Sequence, residues 1–379
     1  MKPLNQPIER TILMEQAMRQ YHDMLQEMYR YYRSQPSCME ELLSKRKDIV
    51  GGFARFYNEQ KPDRIYLFGS GSSLNACKAA REYMETILGV EITCAPPSNQ
   101  PIIRGARPLV LAISQGGKSS NTVALLEQLR DGVPTVSFTA GVDNPVARMA
   151  DISVDISVGD ETVGPKTRGV TGTVLCLYLA TLEAALLCGN LSEAGYGEEI
   201  GLLKKTIGYG EQNLKVCEEF YRAHLDDLKT ARHFLFVGKG PAAAVGEEDA
   251  LKVLETLCLP SAGYEFEEFL HGPPICINEE TALFLFNSGD KDSIRMQKMA
   301  DITRKASKNS YIIDRTGSMQ GDNILRLNAG DSKFMSPFVD IYFGQLISSL
   351  LTQELGIVRH PAIRSITSDM NTKTSDSGK

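Results

Sequence analysis

The chain lacks the residue groupings that build metal, redox and nucleic-acid sites. Its eight cysteines, Cys38, Cys77, Cys94, Cys176, Cys188, Cys217, Cys258 and Cys276, form neither a C-x-x-C pair nor a zinc spacing, and they are read as buried free thiols. The five histidines, His22, His224, His233, His271 and His360, are dispersed, so no metal site is predicted. No nicotinamide fingerprint stands out, and no cofactor of any kind is expected. There is no uncharged apolar run of about 18 residues, and the opening MKPLNQPIER has no signal-peptide core. These absences predict a soluble, cytoplasmic chain without a membrane partner. Basic excess is missing too: the net charge is -6, which argues against nucleic acid. An anionic ligand must therefore be attracted locally, against the field of the whole molecule.

What is present is a globular composition, 42% apolar and 23% charged over 379 residues, enough for two domains. The stretch LVLAISQGGKSSNTVALLEQLR, 109–130, organises the rest. An apolar strand, Leu109 to Ile113, runs into a small hydroxylic loop and then a helix with Val123, Leu126 and Leu129 on one side. Taken alone, the loop is either an ordinary Gly/Ser turn or a cradle in which backbone N–H groups, hydroxyls and the helix dipole meet an anion. A second such unit decides for the cradle. Strand Ile65 to Phe68 leads into Gly69, Ser70, Gly71, Ser72 and Ser73, then a helix from Asn75. Two hydroxyl-rich loops at the carboxyl ends of neighbouring parallel strands converge on one crevice.

Strand and helix alternate from Arg64 to Ser157, and the pattern restarts at Phe234, where FLFVGKGPAAAVGEEDALKVLETLCL parallels IYLFGSGSSLNACKAAREYMETIL. The predicted architecture is α/β, two tandem domains each with a parallel sheet between helices, in a flavodoxin-like three-layer arrangement. Its parts are an N-terminal helical segment (1–48), a first domain (49–195), a helical connector broken by glycines (196–230), a second domain (231–367) and a disordered polar tail (368–379). Lys166 and Arg168 precede a long apolar helix, where cations oppose the dipole; they are solvated or face a bound anion, and the anion is favoured.

The second domain has no hydroxyls in its first loop, Gly238 to Pro241. Its helix instead carries an apolar stripe, Ala250, Leu254, Leu257 and Cys258, with Lys252 and Glu255 as a surface ion pair on the other side. His271 stands before Gly272, Pro273 and Pro274, a rigid turn that fixes its imidazole. A carboxylate and an imidazole near an anion cradle are the parts of an acid–base site. The acidic run Glu265, Glu267 and Glu268 is a solvated face or a receptor for a lysine-type ammonium.

Together FGSGSSLNA, SQGGKSSNT and ALKVLETLCLPSAGYEFEEFLHGP resemble the sugar isomerase (SIS) family, in the two-domain form found in the isomerase half of glucosamine-6-phosphate synthase and in fructosamine-6-phosphate deglycases. The resemblance covers about Phe56 to Thr367. It implies phosphate ligands at Ser73, Ser114, Gln115 and Ser119, a catalytic glutamate and histidine at Glu255 and His271, and further substrate contacts among Ser72, Lys166, Arg168, Lys252 and Arg364. Gly116 stands where the family has a hydroxyl residue, so one phosphate contact falls to backbone or to Lys118. HPAIRSIT resembles the synthase tail with its Schiff-base lysine, but Arg364 occupies that place and cannot form an imine. Lys2 stands where an amidotransferase needs its cysteine. The resemblance therefore implies a deglycase working by acid–base chemistry on a 6-phosphorylated Amadori-type sugar amine. Its alternatives are an amino-sugar-phosphate isomerase or deaminase, and a sugar-phosphate sensor. It also implies a homodimer, with His271 reaching the neighbouring site and the apolar helices Leu175 to Leu187 and Phe338 to Leu351 providing contact surface.

Overall fold

The computed structural model describes residues 7–159, 161–287, 289, 291–360, 363 and 366–374. Helices α1 (Pro7–Arg33), α2 (Gln35–Ser44) and α3 (Arg46–Gln60) lead into a sheet of β1 (Arg64–Phe68), β2 (Glu91–Ala95), β3 (Pro108–Ile113), β4 (Thr135–Thr139) and β5 (Ile152–Asp155). Between these strands come α4 (Ser72–Leu88), α5 (Ser120–Leu129) and α6 (Pro145–Met149). Then α7 (Arg168–Cys188), α8 (Glu193–Gly208) and α9 (Gly210–Leu228) cross to β6 (His233–Gly238), α10 (Pro241–Thr256), β7 (Ser261–Glu265) and α11 (Phe266–Leu270). The chain closes with β8 (Thr281–Asn287), α12 (Ser293–Thr303), β9 (Ser310–Asp314), β10 (Ile324–Arg326), α13 (Ile341–Glu354) and α14 (Ile366–Asp369).

Both sheets are parallel throughout, in the orders β2-β1-β3-β4-β5 and β7-β6-β8-β9-β10. That is one topology used twice, and its strand order reverses between β1 and β3 in the first unit and between β6 and β8 in the second. In open α/β sheets the crevice at such a reversal is where ligands bind. The likeness extends to the backbone: Gly71 and Gly240, which open α4 and α10, share φ 56° and ψ -129°. Only glycine adopts this conformation without strain.

The two units are joined through these equivalent helices, since α4 packs directly on α10. Helices α7 and α13 are apolar almost all round and run through the core. By length and apolarity α7 and the stretch 333–354, which ends in α13, could each span a bilayer, yet the window in α7 is 83% buried and that of 333–354 is 89% buried within the chain. Neither therefore offers the intersubunit surface expected of it. The glycines Gly195, Gly197 and Gly201 lie inside α8 and break nothing; the break falls at Tyr209. The segment after α10 contributes edge strand β7. It escapes the periodicity because all five residues are half-buried and Gly263 lets the strand meet the α10 backbone, where a Cβ would stand 2.4 Å from Glu247 N. Of the cysteines, Cys77, Cys176 and Cys217 are buried, but Cys258 and Cys276 are exposed, against expectation.

Helix α10 also packs on α13, and the contact is unusual. Asp249 is fully buried there, neither carboxyl oxygen has a hydrogen-bond partner among the described residues, and a Cβ on Gly344 would lie 2.0 Å from its Cγ. Burial pushes this carboxyl well above the usual range, and the neighbouring Glu248 and Asp340 add to the shift. The stabilisation that its proton supplies is complete below an unfolded value of about 3.9 and is lost as pH rises towards the folded value. Asp249→Asn, neutral at every pH, is therefore expected to melt higher than the parent at about pH 8, by roughly 1 kcal/mol or more, with the gap narrowing at about pH 5. Thermal melts at the two pH values check this; a gap independent of pH would contradict it.

Candidate active site

The hydroxyl-rich loops that follow β1 and β3 flank the strand-order reversal of the first sheet and open on a cleft of about 1180 Å³. Ser72, Ser73, Ser114, Gln115, Lys118, Ser119 and Lys166 all line it. The two loops are tied to each other: Ser119 Oγ donates to Asn121 Oδ1 at 2.7 Å, and Asn121 Nδ2 donates to Ser70 Oγ at 3.0 Å. At Gly116 a Cβ would meet nothing within 4 Å, so the residue that stands in place of a hydroxyl leaves open cleft. Gln115 is oriented from behind. Its Nε2 donates to buried Glu161 at 3.1 Å, and Glu161 also accepts from Thr167 N at 3.0 Å and Gly169 N at 2.9 Å. This close approach requires glycine at 169, where a Cβ would fall 2.0 Å from Gln115 Nε2.

The opposite wall comes from the second unit. Leu251, Leu254, Glu255 and Cys258 of α10 and its end face the loops of the first. Leu254 and Cys258, expected on a buried stripe, are exposed to the cleft because the helix turns this face to the other domain. Lys252 and Glu255 are not a surface pair either. Lys252 is fully buried, with its Nζ on the Glu255 carboxylate, 3.3 Å from Glu248 Oε1 and 3.1 Å from Ser72 Oγ. Burial opposes its charge, yet Glu248 and Glu255 hold the ammonium above the ordinary lysine range. Glu248 is pushed upward by burial, opposed by Lys252 and by Asn75, whose Nδ2 donates to it at 2.8 Å. Lys252 thus couples Glu255 of one unit to the Ser72 loop of the other.

Sequence reasoning missed Glu248, Tyr21 and Arg359. The first was findable, since Glu248, Lys252 and Glu255 recur at four and three residues on one helical face. The others come from the ends of the chain. Tyr21, on α1, donates through its hydroxyl to Thr256 O, and Arg359 donates to Glu255 O at 2.9 Å while stacking over the Tyr21 ring. They satisfy carbonyls that the end of α10 leaves without internal donors and so hold Glu255 in place. Burial raises the Tyr21 hydroxyl to about 12, which keeps it a donor.

Other expected residues lie elsewhere. Arg168 turns from the cleft, stacking 4.6 Å over the Tyr31 ring and reaching Ser34 Oγ at 3.3 Å, because the turn into α7 aims its side chain at the α1–α2 junction. Lys166 lines the cleft but donates to the carbonyls of Glu161 and Val163 at 2.6 and 2.9 Å. Glu265 caps α11, accepting from Glu267 N and Glu268 N, and Glu267 pairs with Arg295; the acidic run lines no part of this cleft. Exposed His271 ends α11 and is likewise absent from the cleft walls. Arg364 lies outside the described residues.

Residues 59–183 match the model of the SIS domain. The matched stretch holds β1 to β5 and both hydroxyl-rich loops. A Clostridium difficile 630 structure described provisionally as a phosphosugar isomerase superimposes with a TM-score of 0.83 at 25% identity, covering 92% of this chain and 99% of that one. The C-terminal domain of glucosamine-fructose-6-phosphate aminotransferase from Francisella tularensis gives 0.78 at 20% identity, over 88% and 98% of the two chains, and shows the shared fold. In sequence, the glutamine–fructose-6-phosphate aminotransferase (isomerizing) of Caldanaerobacter subterraneus subsp. tengcongensis is 25% identical over 276 residues, 70% of this chain and 44% of that protein. The chain spans about half the length of the curated relatives it matches.

The buried triad on α10 is expected to be held by its cation. Lys252→Met leaves Glu248 buried beside an unpaired neighbour and should cost about 3–5 kcal/mol in urea unfolding. Adding Glu248→Gln should recover much of that loss. A Lys252→Met chain as stable as its parent would show that the ion pairs do not organise the helix.

Proposed function

We propose that the chain is a deglycase that hydrolyses a 6-phosphorylated Amadori-type sugar amine, such as fructoselysine 6-phosphate or glucoselysine 6-phosphate, to a hexose 6-phosphate and the free amine. The observation that carries this reading is Glu255 facing the two hydroxyl-rich loops across one cleft, with Lys252 binding the two sides together. Support also comes from names among the relatives and neighbours, which act on fructose 6-phosphate, on phosphosugars and, for a Thermotoga maritima protein of the same fold, on glucosamine 6-phosphate.

Ser73, Ser114, Gln115 and Ser119, with Lys118, hold the phosphate and thereby place sugar carbons that make few contacts of their own. An imidazole, His271, protonates the ring oxygen and opens the sugar to its ketone form. For the fructose conjugate, Glu255 then removes a proton from C1 while the ketone oxygen gains one, giving the enaminol, and a proton returns to C2 as the nitrogen gives up its own. The double bond now joins C1 to nitrogen, and water adds to this imine and expels the amine. Proton transfer assists every step, from opening the ring to expelling the amine, and Arg364 at the Schiff-base place leaves the imine to the substrate's own nitrogen. The proton shuttle between C1 and C2 would serve an isomerase or deaminase equally well.

Supplying fructoselysine 6-phosphate, glucoselysine 6-phosphate and glucosamine 6-phosphate in parallel, and following hexose phosphate and released amine, separates these activities. Turnover of either lysine conjugate is expected, and turnover of glucosamine 6-phosphate alone would assign a deaminase. Glu255→Gln should lower kcat by about a hundredfold or more. Saturable binding without turnover of any of the three would point to a sensor instead.

His271 stands outside its own chain's cleft, beside exposed Cys276 and Ile275, which is 91% exposed. This supports a homodimer in which His271 enters the site of the other subunit, through the α11 region rather than the apolar helices. Mixing a Glu255→Gln chain with a His271→Ala chain should restore activity, because one of the two sites in the mixed dimer regains both groups. Mixed dimers that form and stay inactive would place His271 in the site of its own chain.

A further inference from the structure

The polar tail was expected to be disordered, but part of it is docked on the very loop that the proposed function assigns to phosphate. Lys373 pairs antiparallel with Ser119, Ser120 N donates to Thr372 O at 3.2 Å, and Thr374 donates to Lys118 O through N at 2.8 Å and through Oγ1 at 3.2 Å. Ser120 opens α5, so the Thr372 carbonyl takes one of the N–H groups that the first turn of a helix leaves without an internal acceptor. Side chains alternate along an extended segment. The Thr374 hydroxyl turns back on the Lys118 carbonyl, and Lys373 lines the cleft with Ser73, Ser114, Ser119 and Glu255.

The charge in the cleft gives this placement its meaning. The chain is acidic overall, at -6, so a phosphate must be met by cations delivered to the site. Lys118 stands on the loop itself, and two further cationic side chains on the walls are engaged by protein oxygens: Lys166 with the carbonyls of Glu161 and Val163, and Arg359 with that of Glu255. Lys252 is locked between two carboxylates beneath the wall. Lys373 instead reaches the cleft from a segment whose backbone is laid along Lys118–Ser120.

We propose that Lys373 is a phosphate-binding residue, carried to the site by the 372–374 strand, and that this strand is a wall of the binding site. The proposal rests on the cleft taking a sugar phosphate. Calorimetric titration of the full chain with fructose 6-phosphate tests it, with Ser114→Ala as a control for the cleft itself. Lys373→Ala is expected to weaken binding about fivefold to thirtyfold, while Lys373→Arg stays within about threefold of the parent. The loss in Lys373→Ala should shrink as salt rises from about 0.05 M to about 0.5 M, because a charge contact at the cleft mouth is screened. Truncation after Asn371 should weaken binding at least as much. If Ser114→Ala loses affinity while Lys373→Ala remains within twofold of the parent, the inference fails and the cleft reading stands. A truncated chain that binds weakly beside an unaffected Lys373→Ala chain would reduce the strand to a backbone brace and also overturn it. No binding of fructose 6-phosphate by the parent chain would overturn both.

Discussion

Everything proposed for this protein depends on one contact, that of α4 with α10. These helices occupy the same place in the two units, each opened by a glycine at φ 56°. Packed on each other, they turn the Glu255 face of the second unit towards the hydroxyl-rich loops of the first. Lys252 sits in the seam, fully buried between Glu248 and Glu255 and bonded to Ser72. A buried ion triad is poor value as a source of stability, because desolvating three charges costs about as much as their attraction returns. Its effect is positional. Rotation of α10 by one residue would strand the ammonium, so the helix is held in the register that presents Glu255 to the cleft.

The same topology carries opposite chemistry in the two units. In the first, the loop after β3 is hydroxylic and open at Gly116. In the second, the corresponding region after β8 is occupied by internal pairs. Asp292 takes Lys239 and, at 2.9 Å, Arg295, whose second branch goes to Glu267; Asn287 Nδ2 donates to Asp314 at 2.9 Å. The hydrogen bonds from Lys239 and Arg295 hold the Asp292 carboxyl below the usual range. Cations that could meet an anion are matched there by the chain's own carboxylates. A duplicated loop arrangement is thus left open on a cleft in one copy and filled by the chain's own ion pairs in the other.

The ends of the chain complete the arrangement. Helix α1 sends Tyr21 to the end of α10, Arg359 closes over Tyr21, and residues 372–374 fasten to the loop before α5. Segments that are remote in sequence therefore meet on one cleft between two domains, and the carbonyls at the end of α10 and an N–H of α5 find their partners across those separations.

By itself the sequence determined the strands other than β7, the two hydroxyl-rich loops and the repeat. It did so because strand and helix periods, glycine turns and hydroxyl runs are local properties that neighbouring residues write directly. It also marked Glu255 and the loop serines, through motifs short enough to read in one stretch. What it left undecided was burial and facing. The same spacing that reads as a surface pair at Lys252 and Glu255 becomes a buried seam once α4 covers it, and an apolar stripe including Leu254 becomes a cleft wall. Arg168 looked like an anion ligand until the α1–α2 junction claimed it, and the polar tail looked solvated until the first turn of α5 supplied a donor for its carbonyl. Those outcomes belong to the tertiary structure, because desolvation and hydrogen-bond partnership are settled by which distant surface arrives, and no local pattern in this chain records that.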